Sequence, residues 1–452
     1  MNDPNGLIQW GGRYHMFYQY NPDAPVHGNI HWGHASSADL VYWQHEPIAL
    51  APEPGGPDAE GCWSGCAVND GGVPKLIYSG HRLGVERPCL AVGSADLRTW
   101  NKHPHNPIIA APPADLDVLA FRDHCIWREG DAWYMLIGTG VRDVGGAALL
   151  YRSPNLIDWD YRGPLLVGDA QATEPVWTGT IWECPELFRV DERHVLLVSA
   201  WYIEPHSTVA FVGHYADERF SPERVQPFDH GAPYYYAPQS FTDERGRRIA
   251  FGWLQEGRSI PAREAAGWAG VMSLPRELGL TAAGDVTQRP VAELTRLRRR
   301  HMPWRGLGVR AGSPLPLPQI SGDTLELQLE LQPGADGECG VAVRCSPDGA
   351  EQTRITYQAA QRRLVIDRSR SSLDPDPDRT PHSAPLTLGI GEPLRLRIFL
   401  DRSVLEVFAN DRVAITTRIY PARPDSLGVA LIAVQRDAWL AAIDVWTMAG
   451  IW

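Results

Sequence analysis

Three carboxylates occupy one place in a repeating sequence. Asp3, Asp123 and Glu183 each lie 13 residues ahead of a short apolar strand pattern, and Trp63 and Tyr236 hold the same place in two further copies. If that place falls on the innermost strand of each unit, all five side chains converge on one small cup. Carboxylates crowded together repel one another, so at least one should keep its proton above the ordinary carboxylate range. Folding alone seldom calls for such crowding, whereas chemistry does. Breaking a glycosidic bond needs an ionised carboxylate on one side and a carboxylic acid to protonate the leaving oxygen. Aromatic neighbours give a sugar ring an apolar platform. A Ca²⁺ or other oxygen-ligand metal site is the competing use of three acids.

The elements that must position these residues are legible as repeats. The apolar patterns are MFYQ at 16–19, LIYS at 76–79, LIGT at 136–139 and LLVS at 196–199, each 60 residues after the last, then IAFG at 249–252 after 53. A turn sequence precedes each. A second marker runs in step: Asp39-Leu40-x-x-Trp43, Asp96-Leu97-x-x-Trp100 and Asn155-Leu156-x-x-Trp159. A Trp at a fixed place can wedge between neighbouring sheets and bury a large area. Units of this size with several short strands read as propeller blades. The sequence thus predicts an all-β chain with a five-bladed β-propeller over residues 1–288; a β-sandwich with accidental similarity is the alternative. Residues 289–304, including the basic run RLRRRH, read as a short helical linker. From 305 to 452 the apolar residues alternate with period two, as in Leu325, Leu327, Leu329 and Leu331, which predicts a second domain, a β-sandwich. The polar, Pro-rich stretch 368–385 reads as a long surface loop.

Composition narrows the partners. With 42 Lys and Arg against 54 Asp and Glu the net charge is −12, so a nucleic acid partner is not expected. No apolar run is long enough to predict a membrane span. The seven cysteines are scattered, with no CxxC pair, and point to neither a zinc ribbon nor a disulfide scaffold. They fit a reducing compartment, hence the cytoplasm, although a chain that begins inside an active-site strand leaves secretion open.

At these positions the sequence resembles glycoside hydrolase family 32, which contains invertases, inulinases and levanases. The motifs that carry the resemblance are Met1-Asn-Asp-Pro-Asn-Gly6, Phe121-Arg-Asp123 and Glu183-Cys-Pro185, with His31-Trp-Gly-His34, Trp63-Ser-Gly65, Tyr236-Ala-Pro-Gln239 and Asp401-Arg-Ser-Val-Leu-Glu-Val-Phe408 in support. It spans nearly the whole chain and implies the same propeller and sandwich. It also implies roles: Asp3 as nucleophile, Glu183 as acid/base, and Asp123 stabilising the transition state with Arg122 beside it. Asn2, Gln19, Trp63, Ser64, Tyr236 and Trp253 would line a fructose pocket. The implied activity is retaining, exo-acting β-fructofuranosidase action on sucrose, fructo-oligosaccharides or fructans, with no cofactor or metal. Retention predicts carboxyls about 5–5.5 Å apart.

Two positions depart from the family pattern. His124 stands where relatives often have Pro, and His27 where many have Trp. A histidine at 27 makes the leaving-group side more polar and is expected to titrate near neutrality. A strand starting at Met1 is expected to fray. Three other readings stay open at this level: a fructosyltransferase on the same scaffold, an inverting arabinan or xylan hydrolase with a wider carboxyl gap, and a non-catalytic fructan-binding protein. The oligomeric state is not readable.

Overall fold

The computed structural model describes residues 1–334 and 336–451. Five antiparallel sheets follow one another along the chain, opening with the strands Pro4–Trp10, Gly61–Asp70, Arg122–Glu129, Ile181–Val190 and Tyr235–Thr242. The first four sheets are four-stranded meanders in sequence order. The fifth has the same path plus the short strand Val271–Met272. Each opening strand packs against that of the next sheet, and the fifth packs against the first, so the ring closes. The chain is therefore a five-bladed β-propeller followed by a β-sandwich.

Local chemistry explains the repeat. The first hairpins of sheets one and two turn on Gly11-Gly12 and Gly71-Gly72, all with positive φ. Two-residue turns of that hand match the twist of the flanking strands. In the second marker, Leu40, Leu97 and Leu156 all adopt left-handed φ of 64°, 58° and 69° and are buried. The following Trp then reaches the neighbouring blade. Trp43 packs edge-on against Phe251 of the fifth sheet, and Trp100 against Phe17 of the first. Trp159 joins the core shared by the second and third sheets.

The sandwich consists of two six-stranded sheets. Leu325, Leu327, Leu329 and Leu331 face its core, as their alternation requires. The basic run does not behave as a linker throughout. A 3-10 turn covers Ala292–Leu297, but the strand Arg298–Val309 already belongs to the sandwich. Arg298 forks onto buried Glu326 at 2.8 and 2.7 Å and lies over the Trp446 ring, so the charge is matched locally and the strand can pair. The stretch 368–385 is not simply a surface loop either. Arg368, Ser371 and Ser372 are buried, and the strand His382–Pro385 completes a sheet edge. Arg368 donates to Asp378 and to the carbonyls of Thr380 and Arg418, and these bonds make burial of the loop affordable.

The two domains meet on buried polar groups. Arg276 of the fifth sheet, fully buried, donates to Asp229 (2.9 Å) and to Glu406 of the sandwich (2.6 Å). Among the described residues no helix is long and apolar enough to cross a membrane.

Candidate active site

Every inner strand breaks its regular pairing at or near the site residue; in the first the break follows Asp3. Register shifts fall between Asn5 and Ile8, Trp63 and Gly65, Arg122 and His124, Glu183 and Glu186, and Tyr236 and Gln239. A bulge bends the strand and re-aims its side chains. Asp123 itself has φ 61°, and Cys184 and Ala237, which follow Glu183 and Tyr236, have φ 47°. Left-handed backbone is uncommon in non-glycine residues and must be held in place. Here the clamps are serines: Ser79 Oγ accepts from Asp123 N at 2.9 Å, and Ser199 Oγ accepts from Ala237 N at 3.1 Å.

The five side chains do converge. Asp3, Trp63, Asp123, Glu183 and Tyr236 line one cup of about 400 Å³, together with Asn2, Gln19, Arg122 and Trp253. Ser64 sits against Asp3. Its hydroxyl donates to Asp3 Oδ2 at 2.6 Å, Gln19 Nε2 donates to the same oxygen at 3.3 Å, and Asn2 Nδ2 donates to Oδ1 at 3.3 Å. Gln19 also bonds Ser64, and Asn2 donates to Gln19 Oε1 at 2.7 Å. The start of the chain is not frayed. Asn2 N donates to Gln19 O, Gln19 N donates to Asp3 O, and the Met1 amine donates to Ala269 O at 2.9 Å.

Arg122 does not give its hydrogen bonds to the acid next to it in sequence. Its guanidinium donates to Glu183 Oε1 at 3.2 and 2.7 Å and to Glu86 at 2.9 Å. Tyr236 is less a platform than a donor, giving its phenol proton to Glu183 Oε2 at 2.6 Å. Trp63 stacks on His81 at 4.1 Å with the planes 7° apart, and Arg122 lies over its ring. Trp253 stands edge-on to Tyr236, and its indole nitrogen would lie 2.6 Å from any Cβ at position 270. Gly270, with φ 67°, is therefore required twice over.

Burial dominates the electrostatics of the cup, and the three acids and Arg122 modify it. Burial, partly opposed by the Ser64 bond and reinforced by the Glu183 carboxylate, raises Asp3 from 3.8 to about 6. Burial raises Asp123 as well; Arg122 opposes the rise, while Glu183 and Asp3 add to it. Burial disfavours the charge on Arg122, but Glu183, Asp123 and Glu86 outweigh it and hold the guanidinium above its ordinary range. The Tyr236 phenol is pushed well up by burial and then by Glu183, so it stays a donor. Cys184 supplies backbone as well as bulk: its N–H donates to Asp123 Oδ2 at 3.0 Å, and burial keeps its thiol neutral.

The two histidine departures resolve differently. His27 lies in the cup wall, edge-on to Trp63 at 5.5 Å. Burial, then His81, lowers its pKa below the ordinary value. His124 faces away from the cup, and burial pulls it to about 3. Among the described residues no group of three or more His, Cys, Asp or Glu is placed to hold a metal ion.

Sequence reasoning missed Ser79, Ser199 and Glu86. The first two carry a signal, because the fourth residue of the apolar pattern is polar in four of the five copies: Gln19, Ser79, Thr139 and Ser199. Glu86 has none, since it meets Arg122 only in three dimensions.

A five-bladed propeller with a carboxylate cup beside a β-sandwich is the frame of a glycosidase. The family model for the N-terminal domain of glycosyl hydrolases family 32 matches residues 1–290, and that for the C-terminal domain matches 293–447. The chain belongs to this family of hydrolases. It is 35% identical to a sucrose-6-phosphate hydrolase of Zymomonas mobilis, over 99% of this chain and 90% of that one. It is 34% identical to a raffinose invertase of Escherichia coli, over 99% and 92%. Fructan 1-exohydrolase IIa of Cichorium intybus superposes with a TM-score of 0.90 at 27% identity, covering 100% of this chain and 95% of that one.

Proposed function

We propose that the chain is a retaining, exo-acting β-fructofuranosidase that releases terminal fructose from sucrose and short fructans. The observation that carries this reading is the convergence of Asp3, Asp123 and Glu183 in one cup, with the Arg122 guanidinium on Glu183. In the first step an Asp3 oxygen attacks the anomeric carbon of the fructosyl unit. Glu183 protonates the glycosidic oxygen, the bond to the leaving sugar breaks, and a fructosyl ester of Asp3 forms. Glu183 then takes a proton from water, which attacks the same carbon and frees Asp3. Asp123 bonds the ring hydroxyls and stabilises positive charge at the anomeric carbon. Arg122 fixes Glu183, and Asn2, Gln19, Trp63, Ser64, Tyr236 and Trp253 form the fructose pocket. The chemistry needs no cofactor.

The names of the relatives support the substrate class, and the Cichorium intybus enzyme has been solved with 1-kestose. The free cysteines suit a reducing compartment, the cytoplasm. The test is fructose release by purified protein from sucrose, 6-phosphorylated sucrose, 1-kestose, inulin and levan. Release from sucrose or 1-kestose, abolished in Asp3→Ala, is expected. No release from any of the five would end this reading.

A further inference from the structure

One wall of the cup is not part of any blade. Residues 255–270 leave the strand Arg248–Leu254, form the short helix Ile260–Ala266 and return at Val271–Met272. The helix has no buried side chain, so it is not anchored by a core of its own. Yet this rim lines the cup with Glu256, Arg263, Ala269 and Gly270, and its Ala269 carbonyl holds the Met1 amine next to Asn2 and Asp3.

Its anchorage comes from the other domain. Glu256, almost wholly buried, accepts from the Tyr420 hydroxyl and lies 3.7 Å from Arg418 Nη2; both belong to the sandwich. Arg258 completes the cluster at 3.1 and 2.7 Å. The backbone is held too. Tyr420 Oη accepts from Gly257 N at 3.1 Å, and Arg418 donates to the carbonyls of Leu254 and Gln255 at 3.4 and 3.3 Å. Asp376 accepts from Ser259 N at 3.0 Å, and Asp378 N donates to Gly257 O at 3.2 Å. Inside the rim, Arg263 donates to the carbonyls of Arg258 and Glu256 and so carries the constraint to the cup. Burial works against the charge on Glu256, but Arg258, Arg418 and Tyr420 outweigh it and hold its pKa down, as a closed latch requires.

We propose that the β-sandwich sets the wall of the substrate cup by latching the 255–270 rim at Glu256, with Tyr420 and Arg418 as positioning residues. The sandwich is then more than a brace. It fixes one side of a pocket whose three acids all hang on propeller strands that it does not touch at those points. Loosening the latch should weaken substrate binding and leave the chemical step alone. A loss of binding shared by ground and transition states raises KM and spares kcat. The kinetic part of this inference rests on the fructosidase reading; the structural part does not.

The test uses full-length protein carrying Tyr420→Phe, which removes only the hydroxyl, and separately Asp376→Ala, which removes the acceptor of Ser259 N; neither residue lines the cup. Hydrogen exchange and steady-state kinetics on sucrose or 1-kestose are measured on each. The rim amides 257–270 should exchange about tenfold faster while those of Ile181–Val190 keep their rates. KM should rise by about five- to twentyfold with kcat within about twofold. Unchanged rim exchange in both variants, or a fall in kcat at constant KM, overturns the latch. So does a lower Tm with neither rim exchange nor KM altered, the signature of a plain brace. If the parent protein cleaves no fructoside, the functional reading falls, and the exchange arm still decides the latch.

Discussion

The two ends of the propeller channel are built from the same five strands and balance their charges in opposite ways. At the cup end Asp3, Asp123 and Glu183 share Arg122, and neither aspartate has a guanidinium bonded to it. At the other end a cavity of about 310 Å³ contains Glu186, three residues along the strand from Glu183. That carboxylate has a private Arg248 at 2.9 Å and two bonds from Ser240 at 2.9 and 2.6 Å. A buried charge kept for structure is paired and saturated. In the cup, Asp3 and Asp123 are left to neutral donors, with no cation bonded to either.

The largest expected effects break that contrast directly. Asp3→Asn should lower kcat by about 10⁴-fold or more, the scale of losing a covalent nucleophile. It should also raise stability at pH 8 by about 1–3 kcal/mol, because the raised pKa of Asp3 records a cost of ionising it in the fold. Glu186→Gln should spare the chemistry: activity should stay within a few-fold, although burial raises the Glu186 pKa as it does that of Asp3. Fructose release on the two variants and thermal melts of Asp3→Asn check this; a less stable Asp3→Asn would contradict the account of the cup.

Next in size is Glu183→Gln, expected to lower kcat on sucrose by about 10²–10⁴-fold. Fructosyl fluoride, whose leaving group needs little protonation, should lose far less, and equal losses on both substrates would count against the acid role. A pH profile gives a smaller, graded effect. Asp3 must be ionised to attack, so kcat/KM should fall tenfold per unit below about pH 6. The stability linkage runs the other way. The folded pKa lies above the ordinary 3.8, so the penalty is absent below pH 3.8 and grows to its full size as pH rises through about 6. The Tm difference between Asp3→Asn and the parent should therefore widen over that window. The smallest effect is expected of Ser79→Ala. Asp123 would lose the bond that holds its left-handed backbone, and kcat should drop by about tenfold with little change in KM.

Much of this was legible because propeller symmetry writes three-dimensional convergence into one dimension. The 60-residue period placed Asp3, Trp63, Asp123, Glu183 and Tyr236 in one cup, and the Trp of the second marker at the blade seams. Period-two alternation announced the sandwich. What stayed hidden depends on pairings outside the repeat. Arg122 is adjacent to Asp123 in sequence but bonds Glu183 across the channel. The run RLRRRH reads as a linker because its matching Glu326 and Trp446 lie far along the chain. The stretch 368–385 reads as a loop because its role as a clamp on the fifth blade depends on Tyr234 and Ser259.

The account stands or falls on Asp3 and Glu183 acting on opposite ends of one bond within one well. Cleaving sucrose in water containing methanol, and assigning the anomer of the methyl fructoside by NMR, tests this most directly. A double displacement at Asp3 predicts the methyl β-fructofuranoside, with configuration retained. The α-anomer would mean direct attack by solvent, and Asp3 would not be the nucleophile.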